Sequence, residues 1–235
     1  SISYNASKFY DKKMNEFIVQ SGIDKNILIM VLMLPVVATL IGFVRHILGF
    51  KTLGIYLSLI LTFILVQIGF ENNNGNIFNA LKYGIPLIAT VFISSLLWYF
   101  PFKKLALHYY PKLSIVITGV TIVILLLIIL SGLVHLGTFI KLNVFILILI
   151  VGITEKYFIM LARKNISTIL FISFESLIIA ILCYFLVSWE AFQNLLFNYP
   201  YLILLLFPIN YFIGKFTGLR LSEYLRFWNI LIDKD

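Results

Sequence analysis

Ionisable side chains that fall within long apolar runs are the residues of this sequence best placed to do chemistry. Glu155, Lys156, Glu175 and Lys215 each interrupt or end such a run. A charge deep in lipid is costly, so it usually faces the interior of a helix bundle and has a partner there. Such groups form ion pairs or line proton and ion pathways. The sequence therefore predicts a polar intramembrane cluster made by these four residues.

The depths of these residues indicate how they could meet. Glu155 and Lys156 precede the end of one apolar run by about seven residues, and Glu175 follows the start of the next by a similar number, which is roughly 10 Å at about 1.5 Å per residue. The short turn 163–167 makes the two helices antiparallel neighbours, so Lys156 or a nearby arginine could pair with Glu175. The cluster is then either a cytoplasm-facing polar site or a structural ion-pair cluster, with Lys215 and Arg220 reaching the interface.

Signatures of soluble enzymes are missing from the chain. It has no G-x-x-x-x-G-K-[ST], no G-x-S-x-G and no H-E-x-x-H, and His46, His108 and His135 fall in or near three different connections between apolar runs. Cys183 is a lone cysteine in an apolar run, which excludes a disulfide within the chain and a thiolate metal cluster. We therefore expect no catalytic residues, no cofactor and no metal. The amide of Asn210, like that of Gln67, is expected to form an interhelical hydrogen bond.

Composition defines the class of protein that must hold these groups. Of the 235 residues, 61% are hydrophobic and 12% are charged, and the mean hydropathy is +1.03. Soluble domains are about 45–50% apolar and about 25% charged, so a soluble enzyme, a disordered chain and a disulfide-stapled module are excluded. The formal charge of +8 is expected to reflect orientation in a membrane and not binding of nucleic acid.

Seven apolar runs are each expected to be long enough to span a membrane, which takes roughly 20 residues: 27–44, 53–70, 84–100, 113–134, 140–162, 168–189 and 201–218. Backbone groups in lipid must be satisfied within their own segment, so these runs predict helices. The expected fold is an all-α membrane protein, a seven-helix transmembrane bundle over residues 26–219. Residues 1–25 are expected to be an extracytoplasmic linker or interfacial helix, cut from a longer chain because Ser1 is not an initiator methionine.

Basic residues predict the orientation of the bundle. Alternate connections and the C-terminal tail, residues 220–235, carry most of them: Arg45, Lys51, Lys103, Lys104, Lys112, Lys156, Arg163, Lys164, Lys215, Arg220, Arg226 and Lys234. The opposite side has Lys82, Lys141 and the lysines of the N-terminal segment. By the positive-inside rule the N-terminus is outside and the C-terminus is cytoplasmic, as an odd number of spans requires.

Three strings carry a resemblance to a known family. They are residues 49–54 (GFKTLG), 153–156 (ITEK) and above all 214–227 (GKFTGLRLSEYLRF). Together they resemble the bacterial seven-transmembrane-helix domain that is usually fused to an inactive transglutaminase-like domain. Lys156 and Lys215 stand where the family pattern has arginine, which keeps the charge but loses the bidentate fork. A weaker similarity is to the small multi-span subunit of poly-gamma-glutamate synthesis.

The resemblance implies a non-enzymatic anchor, scaffold or sensor of the bacterial inner membrane. Such a module would couple an extracytoplasmic binding domain to a cytoplasmic partner, an ATP-grasp-type peptide ligase or a polymer synthase, or it would form a homo-oligomer in the lipid bilayer. The docking point for the partner is expected at Thr217, Arg220, Glu223 and Arg226. The alternative is a transporter or export component for a peptide or amino-acid polymer, which would require a water-accessible cavity beside the polar cluster.

Overall fold

The computed structural model describes residues 25–50, 54–71, 77–103, 108–133 and 143–215. The helices in these ranges are α1 (Lys25–Phe43), α2 (Ile55–Glu71), α3 (Ile77–Lys103), α4 (Tyr109–Leu133), α5 (Val144–Arg163), α6 (Ile166–Val187), α7 (Glu190–Asn198) and α8 (Leu206–Lys215). A π-helical turn, Val44–Leu48, extends α1, and a 3-10 helix, Pro200–Leu205, precedes α8. Within these ranges no residue is in a strand. The predicted all-α class is therefore confirmed for this part of the chain.

Apolar helices occupy the positions of all seven predicted runs. Five are long and apolar enough to cross a membrane: Ile27–Leu48, Ala80–Lys103, Tyr109–Ser131, Val144–Arg163 and Ile166–Val187. The apolar part of α2, Ile55–Gly69, is shorter; at about 1.5 Å per residue it measures roughly 22 Å, less than the roughly 30 Å of a hydrocarbon core. The orientation predicted from the basic loops stays a prediction.

The last apolar run differs from the single continuous helix expected over 201–218. Residues 200–205 form the 3-10 helix, and the segment Pro200–Lys215 is bent by 97° from α7. Pro200 lacks the N–H that would continue α7, and Tyr199 before it has a non-helical backbone (φ −126°, ψ 66°). If the bent pair is one broken span, the structure has six candidate spans and the short α2.

Helix α7 lies where the sequence indicated only a connection. Its nine residues, EAFQNLLFN, place polar and apolar side chains largely on opposite sides of a helix. Because four of the nine are polar, the segment is not recognisable as an apolar run in the sequence. Its apolar side is nevertheless used, because Leu196 and Phe197 are buried and α7 packs against α1. The Gln193 side chain donates a hydrogen bond to the Val187 carbonyl at the end of α6 (2.6 Å).

The described chain divides into two compact units, one of residues 25–50 and 186–215 and the other of 54–185. In the first, α1 packs against α7, α8 and the 3-10 helix. The Asn210 amide of α8 donates to Thr39 Oγ1 of α1 (2.9 Å), and Thr39 itself is buried. The interhelical hydrogen bond expected of Asn210 is therefore confirmed.

Close contacts at glycine set the packing of the unit of residues 54–185. Helices α2 and α3 pack together, and a β-carbon at Gly84 would lie only 2.5 Å from Leu65 Cδ2. The Trp98 ring of α3 packs directly on Gly119 of α4, closer than a β-carbon would allow. Small residues let helix backbones approach one another where lipid provides no hydrophobic force between helices. Helix α5 completes this core by packing against α2, α3 and α4.

Candidate polar site within the helix bundle

The predicted charges Glu155 and Lys156 pair with each other on α5. Lys156 Nζ lies 3.9 Å from Glu155 Oε1, and the two side chains are 42% and 43% exposed. The ammonium also lies 5.6 Å from the centroid of the Tyr56 ring on α2, within reach of a cation–π interaction. The charges therefore sit at the edge of the unit, where neither side chain is fully covered by protein.

The other two members of the predicted cluster lie on other helices. Glu175 is half-buried on α6, next to the fully buried Ser176, and it interacts with its surroundings. Lys215 is exposed at the last residue of α8, in the other unit. Pairing of Lys156 with Glu175 stays a prediction, since the ion pair seen at Lys156 is with Glu155. The predicted docking residues Thr217, Arg220, Glu223 and Arg226 lie outside the described residues.

A group of buried hydroxyls, here called the hydroxyl layer, runs through the core of the unit of residues 54–185. Four helices contribute to it, and each of its side chains is at most 6% exposed: Ser58, Thr62, Ser94, Ser95, Thr154, Tyr157, Ser173 and Ser176. Burial of so many hydroxyls in one layer is a tertiary feature, because the contributing helices are far apart in sequence. The layer is the most polar part of an otherwise apolar core.

Contacts between helices show that these hydroxyls lie at similar depth. Lys156 contacts Tyr56, and Gly152 lies against Ile60, so α2 and α5 run antiparallel with Ser58 level with Thr154. On the other side of α5, the centroid of the Tyr157 ring lies 4.8 Å from that of the Phe92 ring of α3. Phe92 is about one helical turn from Ser95, which places Ser95 near the same level.

Helix α6 joins the layer through two neighbours. Its Ser173 faces the Tyr157 hydroxyl of α5, and its Cys183 thiol lies against Thr62 of α2. At the end of α2 the Tyr184 hydroxyl approaches Gly69, so close that a β-carbon there would lie 2.8 Å from it. These contacts place α6 along both α2 and α5.

Most hydroxyls of the layer are satisfied by their own helix. Six donate to a backbone carbonyl three or four residues earlier, at 2.6–3.2 Å: Thr62, Ser94, Ser95, Thr154, Ser173 and Ser176. Such bonds make a hydroxyl compatible with an apolar interior. The Ser58 hydroxyl has no hydrogen-bond partner among the described residues, although its side chain is fully buried. An unpartnered buried hydroxyl costs about 1–3 kcal/mol.

The chemistry available to this layer is that of neutral hydroxyls. Among the side chains described, no Asp, Glu, Lys, Arg or His is fully buried. His46 is half-buried, His108 is exposed and His135 lies outside the described ranges. Within those ranges no three His, Cys, Asp or Glu side chains are close enough together to hold a metal ion. The arrangement thus offers hydrogen bonds to water or to a small polar group, without a base to activate a nucleophile.

The hydroxyl layer was not predicted from the sequence, because the predicted site was built from ionisable residues within apolar runs. A signal was present, since Ser58 and Thr62, four residues apart, share one face of an apolar helix. Ser173 and Ser176, three residues apart, likewise share one face of α6. Isolated serines and threonines are nevertheless common in apolar helices, and only the packing of α2, α3, α5 and α6 shows that they meet.

Five helices of spanning length and apolar composition among the described residues define a polytopic α-helical membrane protein. The chain belongs to a family described as seven transmembrane helices usually fused to an inactive transglutaminase, and the match covers residues 3–231. The resemblance based on residues 214–227 is thereby confirmed. No curated protein and no solved structure matches the chain.

Proposed function

We propose that this chain is a non-enzymatic anchor, scaffold or sensor module of a bacterial inner membrane. It couples an extracytoplasmic binding domain to a cytoplasmic peptide ligase of ATP-grasp type or to a polymer synthase. The family description supports this function, because members are usually fused to a transglutaminase that is inactive. An inactive transglutaminase-like domain can still bind a peptide or a cell-wall-like ligand, which would give the membrane module an input to transmit.

The observation that carries the proposal is the character of the core over residues 54–185. Its buried polar groups are mainly hydroxyls that bond to their own helices, and tight contacts such as Trp98 on Gly119 fill the space between helices. A pathway for a charged peptide or polymer would need ionisable or solvated groups along its length. A core with such close contacts and with neutral buried groups is suited to holding helices together and to passing a movement from one side to the other.

The basic C-terminal segment is the proposed docking point for the cytoplasmic partner. Thr217, Arg220, Glu223 and Arg226 recur every three residues, so on a helix each would neighbour the next around the surface, and the set would extend halfway around the helix. Arginine is well suited to an acidic partner because its planar guanidinium binds carboxylates through two hydrogen bonds. We propose that these side chains select the partner.

Affinity purification of the full protein from native membranes in gentle detergent, followed by mass spectrometry, tests this function. We expect a ligase or synthase to be enriched with the unaltered chain and lost with the double variant Arg220→Glu and Arg226→Glu. The control reverses the same amount of charge in the N-terminal segment, Lys8→Glu and Lys12→Glu, and should retain the partner. Retention of the partner by the C-terminal variant, or recovery of the chain without one, would contradict the proposal.

Transport or export of a peptide or amino-acid polymer is the second candidate. The 97° break between α7 and Pro200–Lys215 favours it, because transporters build their sites around discontinuous helices. Half-buried Glu175 would then be the group that gates passage. In this case Glu175→Gln should stop export while the complex stays assembled, whereas Glu190→Gln, a matched change at an exposed position of α7, should have no effect. If Glu175 is structural, the same substitution lowers thermal stability and leaves partner binding intact.

A further inference from the structure

The ends of α3, α4 and α5 meet at one end of the unit of residues 54–185. Lys112 Nζ of α4 donates to the carbonyl of Lys103, the last residue of α3 (3.5 Å). The Tyr109 ring at the start of α4 lies 5.6 Å from the Phe158 ring of α5, in an edge-on contact. Glu155 and Arg163, the last residue of α5, both lie within electrostatic reach of the Tyr109 hydroxyl. Residues from three helix ends thus form one surface.

This surface is strongly basic. We define the basic collar as Lys103, Lys112, Arg163 and Lys164, of which all but Lys112 are exposed and Lys112 is partly exposed. Glu155 is the one acidic residue in the sequence from position 77 to 171, and its ion pair is with Lys156. This stretch of chain thus offers one carboxylate against the four cations of the collar, which leaves an excess of positive charge, and the ligand that complements it is an anion.

Exposed aromatic rings next to the collar indicate the level of the membrane surface. Tyr110 is 76% exposed and packs edge-on against Tyr109, with 5.2 Å between ring centroids. Tyrosine is enriched at the boundary between hydrocarbon and water, where its ring and hydroxyl are each in a suitable medium. Cations beside such rings lie at the level of lipid headgroups.

An exposed face of α4 leads away from the collar into the hydrocarbon. Tyr110, Ser114, Thr118, Thr121 and Leu125 follow one another at spacings of three or four residues, and all five are exposed. The two threonines bond to their own helix, to the carbonyls of Ser114 and Ile117. This face is thus apolar in effect and offers acyl chains a surface that begins at the cations.

We propose that the basic collar binds the headgroup of an anionic phospholipid whose acyl chains lie along this face of α4. Basic pockets between transmembrane helices are known to bind anionic headgroups, with each lysine or arginine contributing about 1 kcal/mol near an anionic surface. A lipid fits better than an acidic protein, because the cations stand directly beside an exposed apolar helix face. A soluble partner would leave that face uncovered.

The test compares lipids on the full purified protein. Native mass spectrometry and thermal unfolding are measured with dioleoyl phosphatidylglycerol and with dioleoyl phosphatidylcholine, which carry the same acyl chains. We expect retention of phosphatidylglycerol and a higher melting temperature with it. The double variant Lys112→Gln and Arg163→Gln should weaken its binding roughly 30-fold, which is about 1 kcal/mol for each of two cations at tenfold per 1.4 kcal/mol.

A matched pair of charge removals outside the collar serves as the control. Lys82→Gln and Arg45→Gln remove the same charge from exposed positions and should leave binding unchanged. If the collar variant does not fold, the charge-retaining pair Lys112→Arg and Arg163→Lys replaces it. This pair should bind phosphatidylglycerol as the unaltered protein does, and so should the control variant.

Several results would overturn the proposal. Equal binding of the two lipids would show that the headgroup charge is not recognised, and an equal loss in the control variant would show that only net charge matters. Stabilisation by inorganic phosphate equal to that by the lipid would assign the collar to a soluble anion. Binding of a polyglutamate peptide that excludes phosphatidylglycerol would assign it to an acidic protein.

Discussion

Replacement of Ser58 by alanine tests directly whether the core of this membrane module is dry. The Ser58 side chain is fully buried on α2, and its hydroxyl has no partner among the described residues. The substitution removes only the oxygen, so it neither overpacks the site nor disturbs a hydrogen bond. We expect the variant to be more stable than the unaltered protein.

The size of the effect follows from three contributions. Loss of the unpartnered hydroxyl removes a penalty of about 1–3 kcal/mol, and alanine is the better helix former by a few tenths of a kcal/mol, up to about 0.5. The small void left by the oxygen opposes both. A net gain of about 1–2 kcal/mol remains, which is roughly 2–8 °C in melting temperature for a chain of this size.

Ser95→Ala is the matched control. Ser95 is equally buried on α3, but its hydroxyl donates to the Val91 carbonyl at 2.6 Å. The control has the same gain in helix propensity and the same loss of volume, and it also loses a hydrogen bond worth about 0.5–1.5 kcal/mol. Its stability should change by less than about 1 kcal/mol.

The assay is thermal unfolding of each purified variant in the same detergent and in lipid nanodiscs, followed by intrinsic fluorescence and by loss of the monodisperse peak. A destabilised Ser58→Ala protein, with a loss equal to or larger than that of Ser95→Ala, would refute the reasoning. It would mean that the Ser58 hydroxyl is bound by water or by a ligand, and a hydrated layer would favour transport over anchoring.

Two further substitutions test helix packing, one within each of the two units. Gly119→Ala must push the Trp98 ring away, and overpacking of this kind costs about 1–3 kcal/mol of stability. Gly152→Ala is the control and should be tolerated, because its new β-carbon would lie 3.4 Å from the nearest atom, Ile60 Cδ1. Equal melting temperatures for these two variants would contradict the close contact. Asn210→Ala removes the 2.9 Å hydrogen bond to Thr39 and should cost about 1 kcal/mol. An unchanged melting temperature would show that α8 is held to α1 without it.

Hydropathy predicted much of the fold because each span is stabilised largely within itself. A long apolar helix satisfies its own backbone in lipid, so its position can be read from about 20 consecutive residues. The positions of α4, α5 and α6 are examples. Hydropathy did not predict α7, because an amphipathic segment of nine residues gains its stability by burying Leu196 and Phe197 against neighbours that are distant in sequence.

The candidate site was less predictable than the fold. The sequence indicated that Lys156 needs a partner, but residue types alone could not distinguish Glu155, its neighbour in the chain, from Glu175 on the next helix. Asn210 was predicted to form an interhelical bond, and the structure supplied the acceptor, Thr39. Side-chain partners depend on how helices are rotated against each other, and an apolar run does not encode that rotation by itself.

Composition, the apolar runs and residues 214–227 determined that this chain is a polytopic helical membrane protein and indicated its family. These properties are sums over single segments, so they need no knowledge of neighbours. Only the tertiary structure decided which hydroxyls meet in the core and which cations surround the ends of α3, α4 and α5. Those groupings depend on close approaches such as Leu65 on Gly84 and Trp98 on Gly119, where the shapes of two helices set their register.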